Sequence, residues 1–113
     1  MLGWVSHTQG RPFGRLERID LPGGAPGPGW AWWCPGCQSH HAVDGRWAVM
    51  DPDGAAPSIV PSVVVRDGNG LVLCHSIVRD GVLDYLTDSA HPWAGASVRM
   101  EPFEPQGEVS ADF

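Results

Sequence analysis

The pair Cys34 and Cys37 carries the most definite chemistry in this chain. It lies in the string Trp-Trp-Cys-Pro-Gly-Cys, and two histidines, His40 and His41, follow closely. Two thiols separated by two residues can converge on one tetrahedral metal ion from a single turn of backbone. The spacing therefore predicts half of a zinc site, and distant parts of the chain must supply the other ligands.

Two other interpretations of the pair are a dithiol redox centre and a pair of inert, buried thiols. A redox cysteine normally lies at the N-terminus of a helix inside a βαβ unit. Nothing after Cys37 has a helical pattern, and the chain soon reaches the turn signal Asp44-Gly45. The sequence therefore favours a zinc ligand pair.

Cys74 is the predicted third ligand. It lies within a β-rich run, Leu71–Val78, and successive side chains of a strand point to opposite faces. Cys74 and His75 therefore should not both bind one ion, and the thiolate is the softer ligand. For His75 we expect a strand histidine that bonds a backbone carbonyl, in preference to a catalytic role or one that orients Cys74.

The predicted fourth ligand is His91, which follows Cys74 after 16 intervening residues and lies beside the turn-forming Pro92. A Cys3His sphere would be a closed structural site with no open coordination position. The alternates for the fourth position are His75, His41 and His40.

These ligands must be positioned by strands, because no segment shows a sustained helical period. We expect an all-β, antiparallel domain with a zinc-knuckle hairpin and extended termini. A three-stranded meander is the best-supported element. The predicted strands are 15–21, 30–33, 42–43, 47–50, the meander 61–66, 71–78 and 82–86, and a last strand at 97–100. Most of the six tryptophans should fill the core.

Composition limits the organisation and the partners. We expect an N-terminal arm and Gly/Pro-rich loop at 1–29, the zinc-binding β domain at 30–100 and an acidic tail at 101–113. A net charge of −6 without a basic cluster argues against nucleic acid as a partner. The sequence has no secretory signal and no apolar run that could cross a bilayer. Three cysteines cannot all pair within the chain, which favours a reducing compartment.

Several strings together resemble a family of small zinc-binding proteins of tailed phages and prophages, often labelled "ammonia monooxygenase". The matching strings are Trp-Trp-Cys-Pro-Gly-Cys, His-Ala-Val at 41–43, Pro-Ser-Val at 61–63, Cys-His-Ser-Ile-Val-Arg-Asp-Gly at 74–81, and His91 with Ala-Gly at 94–95. The family commonly has a cysteine where this chain has Ser89, which disfavours a ligand there. The resemblance implies a phage origin and a zinc-stabilised β domain, and it supplies no reaction.

The expected function is non-enzymatic: a structural or assembly component of the virion that binds other phage proteins, or itself, through its extended ends. A small intracellular effector that binds and inhibits a host defence protein is the alternative, so the expected location is the virion or the host cytoplasm. A metal-dependent hydrolase that uses His75 is the third hypothesis. The chain contains no phosphate-binding loop, nucleophile elbow or H-E-x-x-H motif.

Overall fold

The computed structural model describes residues 5–6 and 15–102. Every regular element in this part of the chain is a β-strand, which confirms the all-β prediction. The strands are β1 Val5–Ser6, β2 Glu17–Asp20, β3 Gly29–Cys34, β4 Ser39–Val43, β5 Ala48–Met50, β6 Ser58–Arg66, β7 Val72–Arg79, β8 Val82–Tyr85 and β9 Ser97–Arg99.

The strands form two antiparallel sheets. Sheet 1 has the order β1-β2-β3-β4, and sheet 2 has the order β5-β6-β7-β8-β9. Neighbours in each sheet are also neighbours in sequence, so both sheets are meanders. The predicted three-stranded meander is present as β6-β7-β8, and β5 and β9 extend it on its two sides.

The strand predicted at 15–21 is present as β2 and pairs with β3, with Ile19 opposite Gly29. Leu16 and Ile19 are buried. β2 lies within 1–29, the range in which we expect an arm and a loop. This part of the range belongs to sheet 1, because its apolar side chains are buried there. Residues 1–4 and 7–14 of the predicted arm, and residues 103–113 of the predicted tail, lie outside the described part of the chain.

One hydrophobic core joins the sheets. Its main cluster contains Trp32 and Cys34 from sheet 1 together with Ile59, Cys74 and Leu83 from sheet 2. Trp32 is 1% exposed, and Trp30 and Trp47 are partly buried against the core, but Trp93 is 43% exposed. Of the tryptophans that the structure describes, only Trp32 is fully buried, fewer than the sequence predicted. The first two cysteines and the third thus approach each other across the core from opposite sheets.

The predicted Asp-Gly turns shape sheet 2. Asp80 and Gly81 between β7 and β8 both have positive φ, 52° and 76°, which suits the right-handed twist of the hairpin strands. Between β6 and β7, the Asp67 carboxylate accepts hydrogen bonds from the N–H groups of Asn69 and Leu71. No helix within the described residues is long and apolar enough to span a membrane.

Candidate metal centre

The hairpin β3–β4 positions three of the potential ligands. Cys34 ends β3 and lies opposite Ser39, so Trp32 lies opposite His41 two residues further along. Directly opposed residues of an antiparallel pair share a face, and Cys34 shares that face with Trp32. The imidazole of His41 therefore points to the same side of sheet 1 as the Cys34 thiol, toward the core.

The turn between the strands brings in Cys37. Its backbone N–H donates to Cys34 Sγ at 3.4 Å, a contact typical of a tight turn around a thiolate. Gln38 follows with a positive φ of 54°, which completes the reversal of the chain. The predicted zinc-knuckle hairpin is therefore present in shape, with its return strand beginning at Ser39.

Cys74 approaches from the centre of sheet 2. The burial of β7 alternates, with Cys74, Ser76 and Val78 buried and their neighbours partly exposed, as the face assignment predicted. Cys74 Sγ lies 3.9 Å from Cys34 Sγ. Two thiolates on one tetrahedral zinc ion would be roughly 3.8 Å apart, given Zn–S bonds of about 2.3 Å. The spacing of the two sulfurs therefore matches that of a shared metal ion.

Four residues form the complete group: Cys34, Cys37, His41 and Cys74, whose ligand atoms all lie within 4.8 Å of one another. No disulfide links the three cysteines. Cys34, His41 and Cys74 are buried. This group could hold a metal ion, and the ion would connect sheet 1 to sheet 2.

The surroundings of His41 support this interpretation. The residue is 3% exposed, and neither ring nitrogen has a hydrogen-bond partner in the described part of the structure. Buried polar side-chain atoms normally have a partner, and leaving one without a partner costs about 1–3 kcal/mol. A metal ion bound to one nitrogen would remove one of these two deficits.

The thiols differ in their acidity. The contact with the Cys74 thiol lowers the pKa of Cys34 to about 3, aided by the nearby imidazole of His41 and the hydroxyl of Tyr85, against the opposing effect of burial. Burial, followed by the negative charge on Cys34, raises the pKa of Cys37 to about 11. The Cys34 contact, followed by burial, raises the pKa of Cys74. One thiolate is therefore already formed at neutral pH, and the other two sulfurs carry protons.

His91, the predicted fourth ligand, lies beside this group but is not a member of it. Its ring packs edge-on against Tyr85, with 4.5 Å between ring centroids, and it covers Gly36 so closely that a Cβ there would lie 2.5 Å from the ring. Tyr85 in turn contacts Cys34 Sγ at 3.1 Å. In this group His41, one of the predicted alternates, takes the place expected for His91, because the hairpin register aims His41 toward the Cys34 thiol. Nε2 of His91 is likewise buried without a hydrogen-bond partner among the described residues.

The other two alternates lie elsewhere. His40 is opposite Trp33 on the other face of the hairpin, and their rings are 5.1 Å apart. His75 points away from Cys74, as predicted, but it bonds the side chains of Asp88 and Ser62 where we expected a backbone carbonyl.

A cleft of about 530 Å³ opens beside the group and is lined by Cys37 and His41 as well as His91. The cleft gives an ion a route to the sulfurs and the imidazole from solvent.

Comparisons with protein-family models, curated proteins and solved structures found no match for this chain. The fold and the site therefore define its class on their own: an all-β domain of two antiparallel sheets with a Cys3His group able to hold a metal ion between them. The resemblance to small phage proteins stays a prediction.

Proposed function

We propose that the group binds one zinc ion and that this ion has a structural role. The set of three sulfurs and one imidazole suits zinc, and four protein ligands would complete a tetrahedral sphere. A closed sphere has no position for substrate or an activated water. The observation that carries the proposal is the placement of the ligands, three from the β3–β4 hairpin and one from β7, with their ligand atoms all within 4.8 Å of one another.

The ion would add folding free energy to a domain whose hydrophobic core is small. Two residues of the core cluster, Cys34 and Cys74, are themselves ligands, and a short chain buries limited apolar area. Structural zinc in small domains contributes apparent binding free energies of about 10–16 kcal/mol, which appear as folding free energy. We therefore expect the domain to lose most of its stability when the metal is removed.

The domain itself would act as a binding component, and we propose a phage virion or its assembly as the setting. The phage setting is supported by the sequence resemblance alone. The binding role is supported by the closed metal group and by the composition of the C-terminal segment 103–113. The C-terminal segment contains two acidic residues beyond Glu104 and the aromatic residues Phe103 and Phe113, a composition suited to contacts with another protein.

Chelation and particle analysis test the two parts of the proposal separately. A strong chelator should lower the urea midpoint of unfolding of the wild-type protein by a large margin, and added Zn²⁺ should restore it. An unfolding midpoint that is unchanged in the metal-free protein would refute the structural role. Mass spectrometry of purified particles should detect the chain in stoichiometric amount, and its absence from particles would refute the virion setting while leaving the zinc proposal intact.

A further inference from the structure

The outward face of sheet 2 carries a second polar constellation, made by Ser62, His75 and Asp88. Asp88 Oδ2 lies 3.0 Å from His75 Nδ1, and Ser62 Oγ lies 3.1 Å from His75 Nε2. The imidazole therefore bridges a hydroxyl and a carboxylate through its two nitrogens. None of the three residues belongs to the Cys3His group, because β7 presents His75 and Cys74 to opposite faces.

The carboxylate determines the direction of both hydrogen bonds. An ionised Asp88 can only accept, so Nδ1 of His75 must carry the proton. In the neutral ring Nε2 then has a free lone pair and accepts the Ser62 hydroxyl proton. This is the arrangement in which a histidine can act as a general base toward a serine nucleophile.

Each member is held in place by a feature of the fold. The register between β6 and β7 shifts between Ile59 and Val63, and Ser62 lies in this irregular segment. The indole Nε1 of Trp47 donates to the Ser62 carbonyl at 3.3 Å. A β-bulge commonly re-aims a side chain next to an active site, and here it places Ser62 within reach of the central strand.

Asp88 is held by its neighbour. The backbone N–H of His75 donates to Ser89 Oγ at 3.0 Å, and Ser89 Oγ donates to the His75 carbonyl at 3.2 Å. Ser89 is 8% exposed. The hydrogen bonds of Ser89 therefore hold the turn that carries Asp88 against the backbone of His75, and the Asp88 carboxylate contacts the ring of the same His75.

The site is open to solvent and has an apolar border. The side chain of Asp88 is 52% exposed and that of His75 is 22% exposed. Val60 and Val64 lie two residues before and after Ser62 on β6 and are 54% and 38% exposed. A substrate could approach Ser62 from solvent and lay an apolar group against these valines.

We infer that Ser62, His75 and Asp88 form an acyl-transfer site in which Ser62 is the nucleophile, with carboxylic esters of apolar acyl groups as its substrate class. Ser62 Oγ bonds to the ester carbonyl carbon while its proton passes to His75 Nε2. The C–O bond to the alcohol then breaks, and the alcohol leaves with that proton. Water attacks the acyl-serine and gives one proton to His75, and His75 passes that proton to Ser62 Oγ as the acid leaves. This activity goes beyond the structural role proposed above and departs from the expectation of a non-enzymatic chain.

The experiment uses the full-length, metal-loaded protein, with a fluorophosphonate as a serine-directed label and p-nitrophenyl butyrate as an acyl donor. We expect one phosphonate adduct, mapped to Ser62, and hydrolysis of the ester. Ser62→Ala should abolish both. His75→Gln keeps a group that can hydrogen-bond Ser62 but cannot take its proton, and it should slow labelling and hydrolysis by about 10²-fold or more.

Ser97→Ala is the matched control, because the Ser97 hydroxyl on the same sheet contacts the Asp84 carboxylate without an intervening imidazole. It should leave labelling and hydrolysis unchanged. Metal content and circular dichroism of each variant show that it is folded. The inference is overturned if folded wild-type protein forms no adduct at Ser62, or if His75→Gln is labelled there as fast as wild type.

Discussion

Metal binding to the reduced, metal-free protein should release about two protons per ion near pH 8, above the usual imidazole range. Cys34, with its pKa lowered to about 3, is already a thiolate. Cys37, with its pKa raised to about 11, and Cys74, whose pKa is also raised, are protonated. Because a cysteine binds a metal as the thiolate, binding displaces one proton from each of these two sulfurs.

The number of protons fixes the pH dependence of the affinity. Each released proton changes the binding free energy by about 1.36 kcal/mol per pH unit, so two protons correspond to about 2.7 kcal/mol per unit. Between about pH 8 and 9 the solution lies above the usual imidazole range, above the pKa of Cys34 and below that of Cys37. Affinity should therefore rise about 100-fold for each unit increase in pH. The sign follows because protons and metal compete for the same sulfurs.

Isothermal titration calorimetry in buffers of different ionisation enthalpy gives the proton count directly. Cys37→Ala removes one protonated thiol and should reduce the count to about one. A count near three for wild type would contradict the reasoning, because it would mean that all three thiols are protonated before binding, as in an unfolded chain with ordinary cysteine pKa values. A count independent of Cys37 would contradict it as well.

Further predictions concern the turn and the edge of sheet 2. Gly36→Ala places a methyl group 2.5 Å from an imidazole ring and should lower the free energy of unfolding by about 1–3 kcal/mol in urea titrations. Gly68→Ala is the control, because the space around Gly68 is open, and it should leave the free energy of unfolding unchanged. Equal effects of the two substitutions would refute the packing argument. The Ser97 hydroxyl, followed by the Arg79 guanidinium, lowers the pKa of Asp84, so this carboxylate stabilises the fold above its unfolded-state pKa and loses that contribution as the pH falls. Asp84→Asn should therefore be less stable than wild type at neutral pH and match it in acid; a deficit that persists at low pH would show another cause.

Local patterns in the sequence predicted most of the architecture. Period-two alternation in 71–78 predicted both the strand and the opposite faces of Cys74 and His75, and the structure confirms this with alternating burial. The Asp-Gly turns predicted the meander of sheet 2. These features are local, so neighbouring residues were enough to indicate them.

The identity of the fourth member of the metal group depends on the pairing register of the β3–β4 hairpin. The sequence prediction began the return strand of that hairpin too late in the chain. The return strand was expected only at 42–43, whereas it begins at Ser39. Pairing of Cys34 with Ser39 makes residue 41 the inward-facing one. A hairpin drawn directly from the two ends of the knuckle would have selected His41.

The polar constellation on sheet 2 was beyond sequence reasoning for a different reason. Ser62 reaches His75 through a register shift, and Asp88 reaches it through the hydrogen bonds of Ser89. Neither contact follows from spacing or composition, because both depend on how an irregular strand and a turn pack against the central strand.

X-ray absorption spectroscopy of the purified protein, combined with elemental analysis, tests the central claim most directly. One zinc ion per chain should be surrounded by three sulfurs at about 2.3 Å and one nitrogen at about 2.0 Å. The nitrogen should be lost in His41→Ala and retained in His91→Ala. Absence of stoichiometric metal, or loss of the nitrogen in His91→Ala alone, would contradict a metal ion held between the two sheets by Cys34, Cys37, His41 and Cys74.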